Sequence, residues 1–224
     1  MTRVLVVTAV ELETRGLARQ LGLERVGGSA WPHFRGGAVE LLCAGPRAAH
    51  LDARAAGSAP TLVVSAGVCG ALAPDLAEGD LVVPEAVVAG AVGVRHATAA
   101  LPGLRRAGTL LTVDAVVSTA ERKARLWMET GALACDMESV AIVEWARARG
   151  LPAAVVRGVS DTSSRGVPPD LAAVVEPDGR VRTTRAVRVV LSRPRAIAEA
   201  MMLRSGTQAA LKSVAAALGT VARS

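Results

Sequence analysis

Residues 132–161 read ALACDMESVAIVEWARARGLPAAVVRGVSD, and this stretch decides the architecture. Residues 132–135 are a short apolar run, read as a buried strand, with Asp136-Met137-Glu138 at its end. Residues 139–149 continue as a helix that Gly150 stops, and residues 153–159 are a second buried strand ended by Ser160-Asp161. Strand, helix and strand with acids at both strand ends is the pattern of a layered α/β protein, whose ligands lie in the crevice beside the strand ends. Glu13 follows an apolar first strand in the same way. Three separated acids at three strand mouths point to an enzyme that splits a polar, sugar-like bond.

Outward from this core the alternation continues. Residues 3–7 predict the first strand, and leucines at 12, 17 and 21 predict a helix over residues 11–21. A Gly-rich, irregular segment over 22–37 predicts a short hairpin with 39–43. Gly45-Pro46-Arg47 opens a small-residue helix to residue 56, and residues 61–65 predict a strand. Ala66-Gly67-Val68-Cys69-Gly70 reads as a tight loop, and Glu78-Gly79-Asp80 introduces a strand over 81–88. Residues 87–104 are weakly patterned and read as a mobile loop near the ligand. A strand over 110–113 precedes Ser118-Thr119-Ala120-Glu121, whose spacing is that of a capping box, and a helix that Gly131 ends. After Asp161, helices are predicted over 168–175, 183–191 and 194–217. The expectation is one three-layer α/β domain, residues 1–176, with a mixed central sheet flanked by helices, followed by a basic helical extension, residues 177–224.

Composition narrows the choices. Hydrophobic residues make up 51% of the 224, enough for a full core. Aromatics are only Trp31, Trp127, Trp145 and Phe34, so stacking on a flat ligand falls to few rings or to aliphatic side chains. Residues 180–224 hold eight Arg and Lys212 against Glu199, a balance of +8; with +6 for the whole chain, the remainder stands at −2. That tail suggests nucleic acid or an anionic membrane surface as partner. Cys43, Cys69 and Cys135 are too widely spaced for a ligand set and read as reduced, buried thiols of a cytoplasmic protein. No metal and no cofactor is expected, and no leader or membrane-spanning run is read.

Met137-Glu138, Arg157-Gly158-Val159-Ser160-Asp161, Ala66-Gly67-Val68-Cys69-Gly70 and Glu78-Gly79-Asp80-Leu81-Val82-Val83-Pro84 together resemble the nucleoside phosphorylase and nucleosidase superfamily. Ala9-Val10-Glu11-Leu12-Glu13 resembles the opening of the methylthioadenosine/S-adenosylhomocysteine nucleosidases. The resemblance covers roughly residues 3–162. It implies that Glu138 accepts hydrogen bonds from the ribose 2′ and 3′ hydroxyls while Met137 packs on the sugar. A carboxylate can accept from two adjacent hydroxyls, and such bonds strengthen as the ring gains positive charge. It implies that Asp161 assists departure of the purine through N7, that Glu13 activates water, and that Gly67, Val68 and Ser160 belong to the substrate-binding site. The plainer readings are a helix-start acid for Glu138, a turn or cap for Asp161 and a first-turn helix acid for Glu13, with Glu11 as its competitor.

In phosphorylases of this family a hydroxyl residue at the position of Val68, beside Gly67, helps bind phosphate; here it is missing. A Gly-rich phosphate loop after the first strand is also missing, and Glu13 stands there, where it would repel phosphate. Both departures favour hydrolysis. Arg47 is the candidate phosphate contact, with a solvated surface arginine as its plain alternative.

The extended tail, with Ser192-Arg193-Pro194-Arg195 and a long Ala-rich helix, resembles the hopanoid-associated branch of the superfamily. That likeness implies release of adenine from adenosylhopane, a lipid-linked nucleoside. Peripheral membrane contact of the tail, at the inner face of the membrane, would follow, with Ala196, Ile197, Met201, Met202 and Leu203 meeting apolar chains. The alternative is a helix packed on the domain with a solvated basic face. Alternative enzymes are a purine nucleoside phosphorylase using phosphate, or a methylthioadenosine, S-adenosylhomocysteine or futalosine nucleosidase. A non-catalytic nucleoside sensor or nucleic-acid binder is the other class, weakened by the complete set of three acids and by a tail without interleaved aromatics. Family likeness also implies a homodimer or larger homo-oligomer.

Overall fold

Strand β1 (Val4–Thr8) is buried along its whole length because both of its edges are paired, in parallel, to β4 (Val39–Cys43) and β5 (Leu62–Ala71). Its side chains alternate between two cores. Leu5 and Val7 join Leu51, Val140, Ile142 and Val143 on one face; Val4 and Val6 join Leu17, Ala18, Leu211, Val214 and Leu218 on the other. The first face is covered by α2 (Leu51–Arg54) and α4 (Ser139–Arg147), the second by α1 (Glu11–Leu21) and α5 (Pro194–Ala222). This is a three-layer α/β domain with a mixed central sheet. The computed structural model describes residues 3–90, 93–166 and 194–222. The helices expected over 168–175 and 183–191 lie outside the described residues.

The remaining elements are β2 (Glu24–Arg25), β3 (His33–Gly36), β6 (Leu81–Val82), β7 (Ala86–Ala89), β8 (Arg95–Ala97), β9 (Thr109–Thr112), α3 (Ala120–Thr130), β10 (Ala134–Asp136) and β11 (Ala153–Asp161). The sheet runs β2-β3-β4-β1-β5-β10-β9-β7-β8, and β11 pairs with both β5 and β6. The sheet forks at β5. β1 follows one edge of β5 up to Ser65, and farther along β10 pairs antiparallel with Gly70 and Ala71. β11 pairs in parallel with β5 from Val63 to Gly70. The opening left where β1 ends is the natural place for a ligand.

Five local expectations are corrected. Residues 66–70 are strand and not loop, because β11 holds that stretch of β5 in its ladder. The helix expected over 45–56 breaks into a single turn at Pro46–Ala48 and the short α2, because Arg47 and Ala48 both adopt φ of 55°. The strand expected over 81–88 is two strands with different neighbours, separated around Pro84, which has no N–H for a ladder. Residues 87–104 include most of the β7–β8 hairpin, and Leu101 is buried in the α1/α5 core. The cap of α3 is also one residue later than expected: Thr119 Oγ1 accepts from the Arg122 N–H at 3.2 Å.

α5 packs directly on the back of β11. A Cβ on Gly158 would stand 2.4 Å from the Ala210 carbonyl oxygen, and one on Gly206 would stand 2.1 Å from that of Ser160. Ala210, Leu211, Val214, Ala215, Ala217, Leu218 and Val221 of α5 are buried. The side chains named above over 196–203 lie outside the described ones.

Candidate active site

The C-terminal ends of β1, β10 and β11 meet the second half of β5 around a cavity of about 210 Å³. Its walls include Ala9, Glu13, Val68, Gly70, Lys123, Asp136, Met137, Glu138, Ser160 and Asp161. The three acids read from the sequence therefore converge, although β1, β10 and β11 are far apart in the chain. Met137, Val68 and Ser160 line the same space, and Gly67 lies just behind it. Arg47 does not line it.

Glu13 is 4% exposed. Its Oε1 accepts from the Val68 N–H at 2.9 Å, and its Oε2 from the N–H groups of Ala9 and Val10 at 3.1 and 3.2 Å. Burial raises its carboxyl above the ordinary range, against the pull of Arg157 and those N–H groups. A raised carboxylate is a stronger proton acceptor, which suits a base acting on water. Glycine is required at position 67, where φ is 152°: a Cβ there would lie 2.5 Å from Glu13 Oε1 and 2.6 Å from Arg157 Nη1.

Arg157 is buried under the site. Its Nη2 binds Asp136 Oδ2 at 2.8 Å, Ser65 Oγ at 2.8 Å and Ser139 Oγ at 3.1 Å. Asp136 is fully engaged in return, accepting from Thr112 Oγ1 at 2.7 Å and from the Ser139 N–H at 3.1 Å. Asp136 thus anchors Arg157. Among the described residues Arg157 Nη1 is buried without a hydrogen-bond partner, on the side where Glu13 approaches Gly67. A buried N–H of this kind calls for a water or ligand oxygen.

Glu138 is buried and accepts the Arg47 backbone N–H at 3.3 Å. Burial pushes its carboxyl up to about 7; Asp136 and Glu13 add to the rise, while Arg157 opposes it. The left-handed turn at Arg47 is what brings that N–H to Glu138. The Arg47 guanidinium points elsewhere, donating to the Asp114 carbonyl at 2.7 Å, and borders a neighbouring cavity of about 720 Å³. The two cavities share Val113, Val116, Val117 and Met137.

Asp161 owes its direction to a bulge. The β11–β5 register shifts between Val159 and Asp161, so Asp161 faces Gly70. A Cβ on Gly70 would be 3.0 Å from Asp161 Oδ2. Bulges of this kind re-aim a side chain beside an active site. Asp161 Oδ1 accepts from Ser160 Oγ at 2.6 Å, and Oδ2 is paired with the Lys123 ammonium. Among the described residues no aromatic ring lines the cavity; Val113, Val116 and Val117 form an aliphatic wall, and Trp127 packs against the cluster that holds Val117 and Cys135 with Leu72 and Leu126. Cys69 and Cys135 are also wall residues. Burial raises both thiols, Cys135 to about 12, so neither is a ready nucleophile.

Known proteins share this sequence family and this fold. The family model described as "Phosphorylase superfamily" matches residues 34–192. A futalosine hydrolase of Streptomyces coelicolor is 32% identical over 194 residues, covering 70% of this chain and 83% of that protein. The chain belongs to the phosphorylase superfamily. It is an N-glycosidic hydrolase or nucleoside phosphorylase of that superfamily. Among solved structures, the 5′-methylthioadenosine/S-adenosylhomocysteine nucleosidase of Neisseria meningitidis superposes with a TM-score of 0.70 at 17% identity, covering 99% of this chain and 98% of the other. The futalosine hydrolase of Helicobacter pylori gives 0.67 at 16% identity, covering 98% and 97%. At such identities these two likenesses speak for the fold.

Two charged residues of this superfamily member escaped the reading of its sequence. Arg157 lies in a strand motif whose sequence does not disclose its task. The signal for Lys123 is its position three residues before Leu126, which puts a lone cation on the buried face of α3.

Proposed function

We propose that this protein hydrolyses the N-glycosidic bond of a purine nucleoside with a bulky 5′ substituent, a substrate of the futalosine type. The observation that carries this reading is Glu13, buried and basic, beside the unpartnered Arg157 Nη1 and across one cavity from Asp161. In this reading a water donates to Glu13 and accepts from Arg157 Nη1. As the water attacks C1′, Glu13 takes its proton. Glu138 accepts from the 2′ and 3′ hydroxyls, Met137 packs on the ribose, and the Asp161–Lys123 pair supplies hydrogen to N7 of the departing base. Ser160 holds Asp161 in place. Among the described residues four carboxylates line the cavity; Arg157 and Lys123 pair two of them, Asp136 and Asp161, and the charge of Glu13 beside the attack position disfavours a phosphate nucleophile. Val68 offers no hydroxyl, and the Arg47 guanidinium is turned to Asp114. The neighbouring cavity gives room for the 5′ substituent.

All these side chains lie within residues 1–176. The basic segment 177–224 supports a second reading, in which the 5′ substituent is the hopane skeleton of adenosylhopane and the segment touches an anionic membrane; the +8 balance of residues 180–224 is the observation in favour. Among the described residues no helix is long and apolar enough to cross a membrane. A homodimer or larger assembly belongs to either reading: Val116, a wall residue of the cavity, is exposed at 39%, and Leu12, next in sequence to Glu13, at 51%; sedimentation would reveal the assembly.

The deciding experiment measures base release from futalosine, adenosylhopane and methylthioadenosine, each with and without phosphate. Release from futalosine that ignores phosphate is expected. Preference for adenosylhopane would select the second reading, and a sugar 1-phosphate product would replace hydrolysis by phosphorolysis.

A further inference from the structure

Lys123 is 1% exposed, yet it lines the cavity next to Asp161. An ammonium has three N–H donors and no acceptor. Among the described residues one donor goes to Asp161 Oδ2 and one to the Thr162 carbonyl at 2.7 Å. The third is left at the cavity wall. Asp161 has both oxygens in use, Oδ1 by Ser160 Oγ and Oδ2 by the ammonium.

A purine presents N7 and its 6-substituent along one edge. A 6-oxopurine shows two acceptors there, N7 and O6; a 6-aminopurine shows the N7 acceptor beside an N–H donor. A lone protonated carboxyl complements the 6-amino edge, since its O–H meets N7 and its other oxygen receives the amino hydrogen. Asp161 differs in its company: Ser160 Oγ already occupies one lone pair of Oδ1, and an ammonium stands at Oδ2. Beside it stands a group that can only donate. An ammonium hydrogen facing O6 is attracted; facing an amino group it meets another donor, and both are left unsatisfied in a buried place.

We propose that Lys123 is a specificity-determining residue that reads the 6-oxo oxygen of the purine, so that hypoxanthine- and guanine-type nucleosides are selected over adenine-type ones. This deepens the hydrolase reading and rests on it for the placement of N7 at Asp161.

The test has two arms. The first compares kcat/KM for inosine with adenosine, and for the 5′-methylthio derivatives of both. A 6-oxo preference of roughly 10- to 100-fold is expected; equal or reversed preference overturns the proposal. Lys123→Met is expected to lower turnover of both bases, because the pair with Asp161 is lost, and to bring their ratio within about threefold; a retained ratio in a folded variant overturns the proposal. The second arm needs no turnover: calorimetric binding of free hypoxanthine and free adenine to the unaltered protein. Tighter binding of hypoxanthine is expected, and adenine binding equally or better overturns the proposal even where Lys123→Met fails to fold. Hypoxanthine preference without cleavage of any nucleoside would remove the hydrolase reading and leave the base reading standing.

Discussion

Glu138 lies buried near two other carboxylates, which sets the pH at which it can grip a sugar. With its carboxyl pushed up to about 7, it carries full charge only above that value. Because two hydroxyls require two free acceptor oxygens, kcat/KM should climb about tenfold per pH unit up to about 7 and then level. Glu138→Gln should remove that acid limb and lower kcat/KM by about 100-fold or more; pH–rate profiles of both proteins check this, and an unperturbed limb near 4.5 would oppose the assignment. Asp161→Asn should cost about 100- to 10,000-fold in turnover with the fold retained, measured beside circular dichroism. The acids were legible in the sequence because each follows an apolar run that can only be a buried strand. Lys123 was hard to read, since a lysine on an amphipathic helix ordinarily faces solvent; its spacing to Leu126 is the one hint, and the Asp161 carboxylate and Thr162 carbonyl hold it inward.

At the scale of elements, the site depends on close backbone packing. Gly158 touches the α5 backbone, so Gly158→Ala should force β11 and α5 apart and destabilise by about 1–3 kcal/mol, read from urea unfolding. Arg157→Met should cost about 3–5 kcal/mol by the same measurement, because it leaves Asp136 as a buried, unpaired charge. Strand and helix alternation over 132–161 was plain from the sequence. The continuation of β5 through Ala66-Gly67-Val68-Cys69-Gly70 was hidden, because its two glycines signal a turn and only pairing with β11 holds them extended. The bulge at Ser160 was equally hidden, since a bulge lies in the register between two strands and neither strand records it alone.

For the whole molecule, buried acids make stability fall as pH rises. A carboxyl whose folded value is raised contributes stability that is fully present below its unfolded value, near 4.5, and lost as pH rises through the folded value, about 7 for Glu138. Glu13 acts in the same direction. Glu40 acts oppositely: although burial raises its carboxyl, Arg35, Ser58 and His33 hold it low overall, so its contribution is lost on acidification. Between pH 4 and 8 the unliganded protein should therefore lose about 3 kcal/mol relative to Glu138→Gln, checked by urea midpoints at both ends. The layered class was legible from apolar runs; the fork at β5 was not, because it joins strands remote in sequence. That fork also bears on how fast the chain can reach its working shape. The Ser160 hydroxyl meets the Cys69 carbonyl across 91 residues of chain, so the two strands that frame the cavity must find each other late and over a long loop. Recovery of ligand binding after dilution from urea should accordingly trail the first gain of helix signal, as the slowest kinetic phase.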